Sequence, residues 1–173
     1  MFTVGILTIS DKGSRGERHD RSGELMREML ASPDCRVVKY DIVPDEKGLI
    51  AAKLTEWADG GGVDVILTTG GTGLAQRDVT PEATYSVIEK GVPGLSEAMR
   101  MKTMEKAPTA VLSRAVAGVR GKCLIINMPG SPKAVEECLG VVLPVIPHAV
   151  AMLKREVTEH VIPDGLRGQA HAH

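Results

Sequence analysis

Aromatic side chains make up only 2% of this 173-residue sequence. The bases of single-stranded nucleic acid stack on aromatic rings, and the chain has almost none for such a surface. Basic residues are not in excess either, because 21 lysines and arginines stand against 22 aspartates and glutamates, for a formal net charge of −1. Both shortages argue against a nucleic-acid partner, which a basic surface would attract.

Cysteines and long apolar runs are also scarce. The three cysteines are odd in number and widely spaced, so they match neither a disulfide framework nor a zinc motif. We expect buried free thiols, which are typical of a reducing compartment, at Cys35, Cys123 and Cys138. No apolar run approaches the length that spans a bilayer. These absences predict a cytoplasmic protein without a membrane partner.

The composition does support an aliphatic core. Hydrophobic residues make up 43% of the chain, and 173 residues suit one domain. Continuous apolar runs alternate with segments of helical periodicity, which indicates a parallel sheet covered on both faces. We therefore predict an α/β fold, doubly wound, with a mostly parallel sheet between helices in a three-layer αβα arrangement. The predicted strands lie near Val4, Val38, Val65 and Ile125, the domain covers residues 1–160, and residues 161–173 form a flexible C-terminal tail.

Four helix starts are predicted from capping residues. Thr80 and Ser131 each precede a proline, and a capping hydroxyl followed by proline is a strong start signal. Ser22 is predicted to cap the first long helix. Asp45 follows the second strand, where it is well placed to cap the next helix. Since aspartate is a preferred cap, Asp45 also has this ordinary structural explanation.

Residues Thr69–Gly73 contain three glycines in five positions, directly after an apolar strand. Glycine tolerates φ > 0 and lets a ligand approach the backbone, and successive N–H groups in such a loop can form an anion-binding nest. Glycine-rich turns are common between strands and helices, so the loop alone favours an ordinary turn. The segment Arg77–Glu82 reverses that preference, because it places the Asp78 carboxylate beside the loop. A carboxylate next to bound phosphate requires a cation or a proton.

Polar turns follow each of the four predicted strands. In open parallel sheets the carboxyl ends of the strands meet at one edge, and ligands bind there. We therefore expect the four turns to form one pocket. They are Ser10-Asp11, Pro44-Asp45-Glu46, Thr69–Asp78 and Pro129-Gly130-Ser131.

Five segments carry a family resemblance: Gly5–Asp11, Thr68–Gly73, Arg77–Thr84, Leu112–Ala115 and Ile126–Pro132. Together they resemble the MoaB/Mog family, over about residues 2–154. The resemblance implies a molybdopterin-binding domain, within residues 1–160, that forms a homotrimer. It also implies a role in molybdenum cofactor biosynthesis, in which molybdopterin and ATP give adenylylated molybdopterin and pyrophosphate with Mg²⁺ as cofactor. Transient contacts with other proteins of that biosynthesis are expected.

The resemblance further implies that two acidic residues, Asp45 and Asp78, are essential for catalysis. A phosphate nucleophile is already ionised near neutral pH, so we interpret both as residues that hold Mg²⁺ and position substrates rather than as general bases. The other candidates are expected to bind substrate. They are Ser10, Asp11, Thr69, Gly70, Gly71, Thr72, Gly73, Arg77, Thr80, Pro129, Gly130 and Ser131.

Other interpretations stay open at this point. Arg77 either neutralises a phosphate or is a solvated surface charge, and Asp11 is either a substrate ligand or an ordinary turn residue. A non-catalytic molybdopterin-binding or scaffold relative is the main alternative function, and it would not need a pair of metal-positioning acids. A dinucleotide-dependent oxidoreductase is a weaker alternative, because the turn after the first strand lacks G-x-G-x-x-G.

Overall fold

The computed structural model describes residues 1–155, which form a six-stranded sheet with helices on both faces. The strands are β1 (Phe2–Ile9), β2 (Cys35–Val43), β3 (Val65–Thr69), β4 (Lys90–Gly91), β5 (Ala117–Arg120) and β6 (Cys123–Met128). The α-helices are α1 (Asp11–Ser14), α2 (Arg21–Met29), α3 (Lys47–Asp59), α4 (Thr80–Tyr85), α5 (Pro93–Met104), α6 (Pro132–Val142) and α7 (Ile146–Lys154). Two 3-10 segments, Pro108–Leu112 and Leu143–Val145, precede β5 and α7. The predicted tail and the end of the predicted domain lie outside the described residues.

The strand order is β2-β1-β3-β6-β5-β4, so β2 and β4 are the two outermost strands of the sheet. The pairings among β2, β1, β3 and β6 are parallel, whereas β5 pairs antiparallel with both β6 and β4. The predicted α/β class and mostly parallel sheet are therefore confirmed. Strands β4 and β5 were not expected, because β4 has only 2 residues and β5 has 4 with a glycine among them. Neither forms an apolar run.

Buried apolar side chains fill both faces of the sheet, since alternate residues of a strand point to opposite sides. On one face, the central strands pack against helices α2, α5, α6 and α7. On the other face, they pack against α3 and α4. The predicted three-layer arrangement is thereby confirmed. The fully buried residues include Ile6, Leu67 and Ile126 on the first face and Leu7, Ile66 and Ile125 on the second.

The capping of α6 by Ser131 is confirmed, because its hydroxyl accepts a hydrogen bond from a backbone N–H in the first turn, at 3.3 Å. The predicted cap of α2 is wrong. Ser22 lies inside the first turn, and the Asp20 carboxylate is the cap, with a backbone N–H of that turn at 3.0 Å. The Asp20 carboxylate also accepts from the hydroxyls of Thr8 and Tyr40, both at 2.6 Å. Tertiary hydrogen bonds therefore select Asp20 over its neighbour.

Thr80 and Asp45 do not cap the helices that follow them. Thr80 is the first residue of α4, whose cap position has no side-chain hydrogen bond. Glu46 occupies the cap position of α3, also without such a bond. The Asp45 carboxylate instead accepts from the backbone N–H of Asp11, at 2.9 Å. These two predicted caps are wrong because the side chains bind neighbouring loops rather than their own helices.

The stretch Pro132–Lys154 is helical throughout, from α6 through the 3-10 segment to α7. It has 23 residues, and an 18-residue part of it has a mean hydropathy of 1.5, so by length and composition it could cross a membrane. The expectation that no run approaches that length is therefore wrong. Its buried side chains pack into the core on the first face of the sheet, which explains the apolar composition. They include Val135, Leu139, Val142, Ile146 and Val150.

The three cysteines are free thiols, and two of them are buried as expected. Cys35, at the start of β2, is only half-buried, which corrects the expectation for that position. Burial raises the pKa of Cys123 to about 12 and that of Cys138 to about 11. Both thiols therefore stay protonated at neutral pH and behave as small apolar side chains.

One polar side chain, Asn127 on β6, lies fully buried between the sheet and α4. Its amide nitrogen donates to the hydroxyls of Thr68, at 3.0 Å, and Thr84, at 2.9 Å. Its amide oxygen accepts from the backbone N–H of Val116, at 3.1 Å. Asn127 thus joins β3, α4 and the segment that leads into β5.

We expect Asn127→Leu to lower the free energy of unfolding by about 3 kcal/mol, because it leaves the buried N–H of Val116 without an acceptor. Urea unfolding measures the change. Thr68→Val is the matched control, since it removes one of the three partners and should cost about 1 kcal/mol. Equal losses in the two variants would show that the Asn127 amide is not the centre of this network.

Candidate functional site

The turns that follow β1, β2, β3 and β6 meet where the carboxyl ends of these parallel strands lie side by side, as expected. After β1 the chain enters α1, a single turn that was not predicted and that Ser10 caps. The backbone N–H of Asp11 donates to Asp45, which follows β2. The hydroxyl of Thr69, at the end of β3, donates to the carbonyl of Pro129 after β6, at 2.7 Å. These bonds connect the turns in two pairs, and the ion pair of Arg77 with Asp11 joins the two pairs into one site.

Gly70 and Gly71 turn the backbone at the end of β3 with φ values of +97° and +66°. A Cβ at Gly70 would collide with the last carbonyl of β1, and one at Gly71 would collide with the hydroxyl of Thr80. Gly73 differs, because its φ is outside the left-handed region. A Cβ there would lie 2.8 Å from Oδ2 of Asp78. The expected need for φ > 0 thus holds for Gly70 and Gly71 but not for Gly73.

Buried threonines support this glycine loop. The hydroxyl of Thr80 donates to the carbonyl of Gly70, at 2.9 Å, and its backbone N–H donates to the carbonyl of Gly71, at 3.1 Å. Thr80 is fully buried, and Thr72 is 6% exposed. Because its hydroxyl proton is already bonded to the loop, Thr80 supports the predicted binding residues from within the core.

Arg77 and Asp11 form an ion pair that connects the loop after β3 to α1. The guanidinium donates to both carboxylate oxygens of Asp11, at 2.6 and 2.8 Å. This contact, the strongest influence on the group, lowers the pKa of Asp11. The Arg77 side chain is 60% exposed. From the sequence, Arg77 was either a phosphate ligand or a solvated surface charge. In the structure it is instead paired with a carboxylate of the chain itself.

Asp45 is half-buried, and burial raises its pKa above the ordinary range of aspartate. The hydrogen bond from the Asp11 N–H and the charge of Arg77 partly oppose this rise in the pKa, and the charges of Asp11 and Asp78 add to it. Oδ2 accepts that hydrogen bond, and within residues 1–155 Oδ1 has no hydrogen-bond donor. Oδ1 lies 3.4 Å from the position that a Cβ on Gly71 would occupy. One oxygen of Asp45 is thus left for a ligand beside the glycine loop.

Asp78 has a similar arrangement at the other end of the loop. Its Oδ2 accepts from the backbone N–H of Ala75, at 2.9 Å. In the described part of the chain, its second oxygen has no hydrogen-bond partner. Asp45 and Asp78 therefore stand beside Gly71 and Gly73, each with one oxygen bonded to the backbone and one free of donors from the described residues.

The expectation of one pocket is wrong, because two cavities open where the turns meet, with volumes of about 730 and 690 Å³. Asp45 lines the first cavity, and Asp78 lines the second. Both cavities contain Gly71, Gly130 and Ser131, so the glycine loop and the turn after β6 form a wall between them. The remaining predicted residues divide between the cavities, with Ser10, Thr69 and Gly70 in the first and Thr72, Gly73 and Pro129 in the second. Asp11, Arg77 and Thr80 line neither.

Several cavity residues were not predicted from the sequence. Residues 17–22 line the first cavity, where the Asp20 cap holds them against β1. Lys106, Lys133 and Arg100 line the second cavity and bring positive charge to it. The sequence Asp-Arg-Ser-Gly at residues 20–23 follows a long polar loop. That pattern could have indicated that residues 17–22 line a cavity. No short motif marks these three basic residues, because the fold brings them together from two different helices and a loop.

The carboxylates present are compatible with a magnesium ion. Residues 1–155 contain no group of three or more histidine, cysteine, aspartate or glutamate side chains arranged to hold a metal. Mg²⁺ does not require such a cage, since it commonly uses one or two carboxylates together with water and substrate phosphates. Asp45 in the first cavity and Asp78 in the second each offer one free carboxylate oxygen of that kind.

The chain has relatives of known family. Residues 5–148 match the family model described as a probable molybdopterin binding domain. The chain is 45% identical over 152 residues to the molybdopterin adenylyltransferase of Helicobacter pylori strain J99, across 87% of this chain and 86% of that protein.

Solved structures agree with this match. The molybdopterin biosynthesis enzyme MoaB from Thermus thermophilus has a TM-score of 0.84 at 56% identity, across 88% of this chain and 96% of that one. The tungsten cofactor synthesizing protein MoaB from Pyrococcus furiosus has a TM-score of 0.81 at 37% identity, across 89% and 98% of the two chains. The resemblance seen in the sequence is thereby confirmed, and the chain belongs to the MoaB/Mog family of molybdopterin-binding domains.

Proposed function

We propose that this protein adenylylates molybdopterin. The terminal phosphate of molybdopterin attacks the α-phosphorus of ATP, a new P–O bond forms, and the bond to the β-phosphate oxygen breaks to release pyrophosphate. The name of the Helicobacter pylori relative, molybdopterin adenylyltransferase, supports the reaction class. The product is an activated form of the pterin for molybdenum cofactor biosynthesis.

The observation that carries the proposal is the pair of cavities on either side of one wall. A transfer between two substrates needs two adjoining sites, and the cavities share Gly71, Gly130 and Ser131. Each cavity also has one aspartate, Asp45 or Asp78, with an oxygen that no donor in residues 1–155 occupies. A protein that only bound molybdopterin would need neither the second cavity nor the second carboxylate.

Two polyanions must meet at this wall, although the protein carries almost no net charge. Backbone N–H groups of the glycine loop and the start of α6 after Ser131 supply partial positive charge. Lys133 adds a full positive charge in the second cavity, whereas Lys106 there is paired with Glu137 at 3.7 Å. A water-excluding site strengthens all of these contributions, since electrostatic interactions grow as the local dielectric falls.

Asp45 and Asp78 are the residues that would hold Mg²⁺. When bound, the ion neutralises phosphate charge and acts as a Lewis acid toward the phosphoryl oxygens. The raised pKa of Asp45 fits such a role, because burial disfavours its charge until a cation is present. The carboxylates orient the substrates, and neither is required as a base.

We also propose that three copies assemble and that the assembly acts in the cytoplasm. The family resemblance supports a homotrimer, and exposed apolar side chains support an interface on the α5 side. They include Met101, Met104, Val111 and Leu112. Sedimentation at micromolar concentration should give three times the 18.4 kDa mass of the chain, and a monomer would contradict the proposal.

Asp78→Asn should lower kcat by about 100-fold while molybdopterin binding persists or tightens, because only the negative charge is removed. Asp45→Asn should behave alike, and the double variant should lose less than the product of the two effects. The measurement is Mg²⁺-dependent pyrophosphate release, together with titration of molybdopterin.

The matched control is Asp59→Asn, whose carboxylate pairs with Arg120 at 2.8 Å and lines neither cavity. It should turn over at the wild-type rate. Near-normal turnover of Asp78→Asn would remove the metal assignment. Tight molybdopterin binding by a wild-type protein that releases no pyrophosphate would favour the non-catalytic alternative.

Gly71→Val should abolish nucleotide binding, because the side chain forces an unfavourable φ and collides with the Thr80 hydroxyl. Gly73→Ala should instead lower kcat, since its Cβ displaces the Asp78 carboxylate without backbone strain. Gly140→Ala, in the middle of α6 with open space around it, is the control and should bind normally. Calorimetric ATP titration, thermal unfolding and the rate of pyrophosphate release separate the three, and normal ATP affinity in Gly71→Val would contradict the loop assignment.

A further inference from the structure

We propose that Arg114 is a positioning residue for this reaction, which acts by holding the backbone of Gly73 and Asp78 and so aims the Asp78 carboxylate at the second cavity. The inference rests on the proposed function of Asp78. Arg114 itself lines neither cavity. It therefore acts on the substrates only through residues that reach them.

The Arg114 guanidinium connects three segments around the glycine loop. Nε donates to the carbonyl of Gly73, at 2.8 Å, and Nη2 donates to the carbonyl of Asp78, at 2.6 Å. Nη1 donates to the carboxylate of Glu82 on α4. The backbone N–H of Arg114 also donates to the carbonyl of Thr72, at 2.9 Å. The two ends of the turn from residue 73 to residue 78 are thus fixed by one planar group.

The turn itself is bonded in a way that depends on those ends. The backbone N–H of Ala75 donates to the Asp78 carboxylate, and the backbone N–H of Asp78 donates to the carbonyl of Ala75, both at 2.9 Å. Displacing the carbonyl of Asp78 would rotate the residue and disturb both bonds. The direction of the carboxylate oxygen that remains free is therefore set by the guanidinium.

Arginine suits this position for a geometric reason. Its guanidinium presents five N–H donors in a fixed fork, and here they reach two carbonyls and a carboxylate from separate segments. A lysine ammonium at the same place is a single point on a flexible stem and cannot reach all three acceptors. Charge alone would be kept by lysine, but the geometry would not.

A second arginine holds Arg114 in place. Arg100, on α5, donates to the carbonyls of Ser113 and Ala115, both at 3.2 Å, on either side of Arg114. Arg100 also lines the second cavity. Helix α5 and Asp78, which both line this cavity, are therefore joined through two arginines.

Arg120 offers a control matched in chemistry but not in location. It donates to both oxygens of Asp59, each at 2.8 Å, and to the carbonyl of Val87 at 3.0 Å. Like Arg114, it joins a carboxylate and a carbonyl from separate segments. It lines neither cavity, and its side-chain hydrogen bonds go to no residue of the glycine loop. A purely structural arginine should resemble Arg120 in every measurement.

The test compares Arg114→Lys and Arg114→Gln with Arg120→Lys. Arg114→Lys should lower kcat by about tenfold or more, since misplacing a reacting group by 1 Å costs up to about 100-fold, while KM for molybdopterin changes little. The Mg²⁺ concentration for half-maximal activity should rise. Arg120→Lys should lose about as much thermal stability as Arg114→Lys. It should nevertheless keep the wild-type kcat and the wild-type Mg²⁺ concentration for half-maximal activity. Equal kinetics in the two lysine variants would overturn the inference.

A double-mutant cycle with Asp78→Asn separates this inference from the proposed function. If Arg114 acts through Asp78, Arg114→Lys should change kcat less than about twofold in the Asp78→Asn background. If the effects of Arg114→Lys and Asp78→Asn on kcat multiply instead, the role of Arg114 is overturned and that of Asp78 is left intact. Normal turnover of Asp78→Asn would overturn the proposed function instead.

Hydrogen exchange provides a readout that needs no activity. The Ala75 amide is protected by the Asp78 carboxylate, so its exchange should become faster in Arg114→Lys and Arg114→Gln but not in Arg120→Lys. Unchanged protection of Ala75 in both Arg114 variants would show that the guanidinium does not position Asp78.

Discussion

Two adjacent glycines in the left-handed region, Gly70 and Gly71, are the constraint on which the site depends. A Cβ on Gly70 would collide with the last carbonyl of β1, and a Cβ on Gly71 would collide with the hydroxyl of Thr80. The loop can pass this close to β1 and α4 because neither glycine has a Cβ. The buried Thr80 then fixes the loop from the core side. The wall between the two cavities is therefore formed by the fold itself before any ligand arrives.

The acids near the glycine loop differ in how their negative charge is compensated. Asp11 is neutralised by Arg77, whereas Asp45 is left half-buried with a raised pKa. An ionised Asp45 therefore costs stability at neutral pH, and that cost disappears as the pH falls and the carboxyl gains its proton. A group that destabilises the unliganded protein but suits a cation is typical of a functional site rather than of a structural one.

Much of the fold was predictable from the sequence, and the reasons for the failures are physical. Buried parallel strands are continuous apolar runs, so β1, β3 and β6 were evident, but β4 has no pattern of its own and forms only because β5 lies beside it. Helix starts were predicted by local capping rules, which failed where side chains such as Asp45 had better partners in another loop. Tertiary contacts override local preference at these places.

The candidate site was predictable in part for a similar reason. Residues at the ends of strands were found because parallel topology brings strand ends together, and the glycine loop was found from its composition. Lys106 and Lys133 come from segments that are distant in sequence and carry no motif that marks a ligand site. Arg114 lies in one of the five segments that carry the family resemblance, but nothing in that segment indicated what its side chain binds. The structure also separated the roles of Thr80 and Arg77, whose side chains bond to the chain itself. Only packing and hydrogen-bond geometry distinguish a residue that faces a cavity from one that supports its wall.

The two edges of the sheet have a consequence for self-association. Edge strands expose unpaired backbone groups and can recruit a strand from another molecule. Here β4 offers only 2 residues and is followed by a proline at position 93. The other edge, β2, carries charged side chains such as Arg36 and Lys39 and has a register shift against β1 between Val4 and Gly5. Neither edge is a good template for strand addition, so the sheet is protected against the growth that leads to aggregation, and contacts between copies are directed to the helical faces.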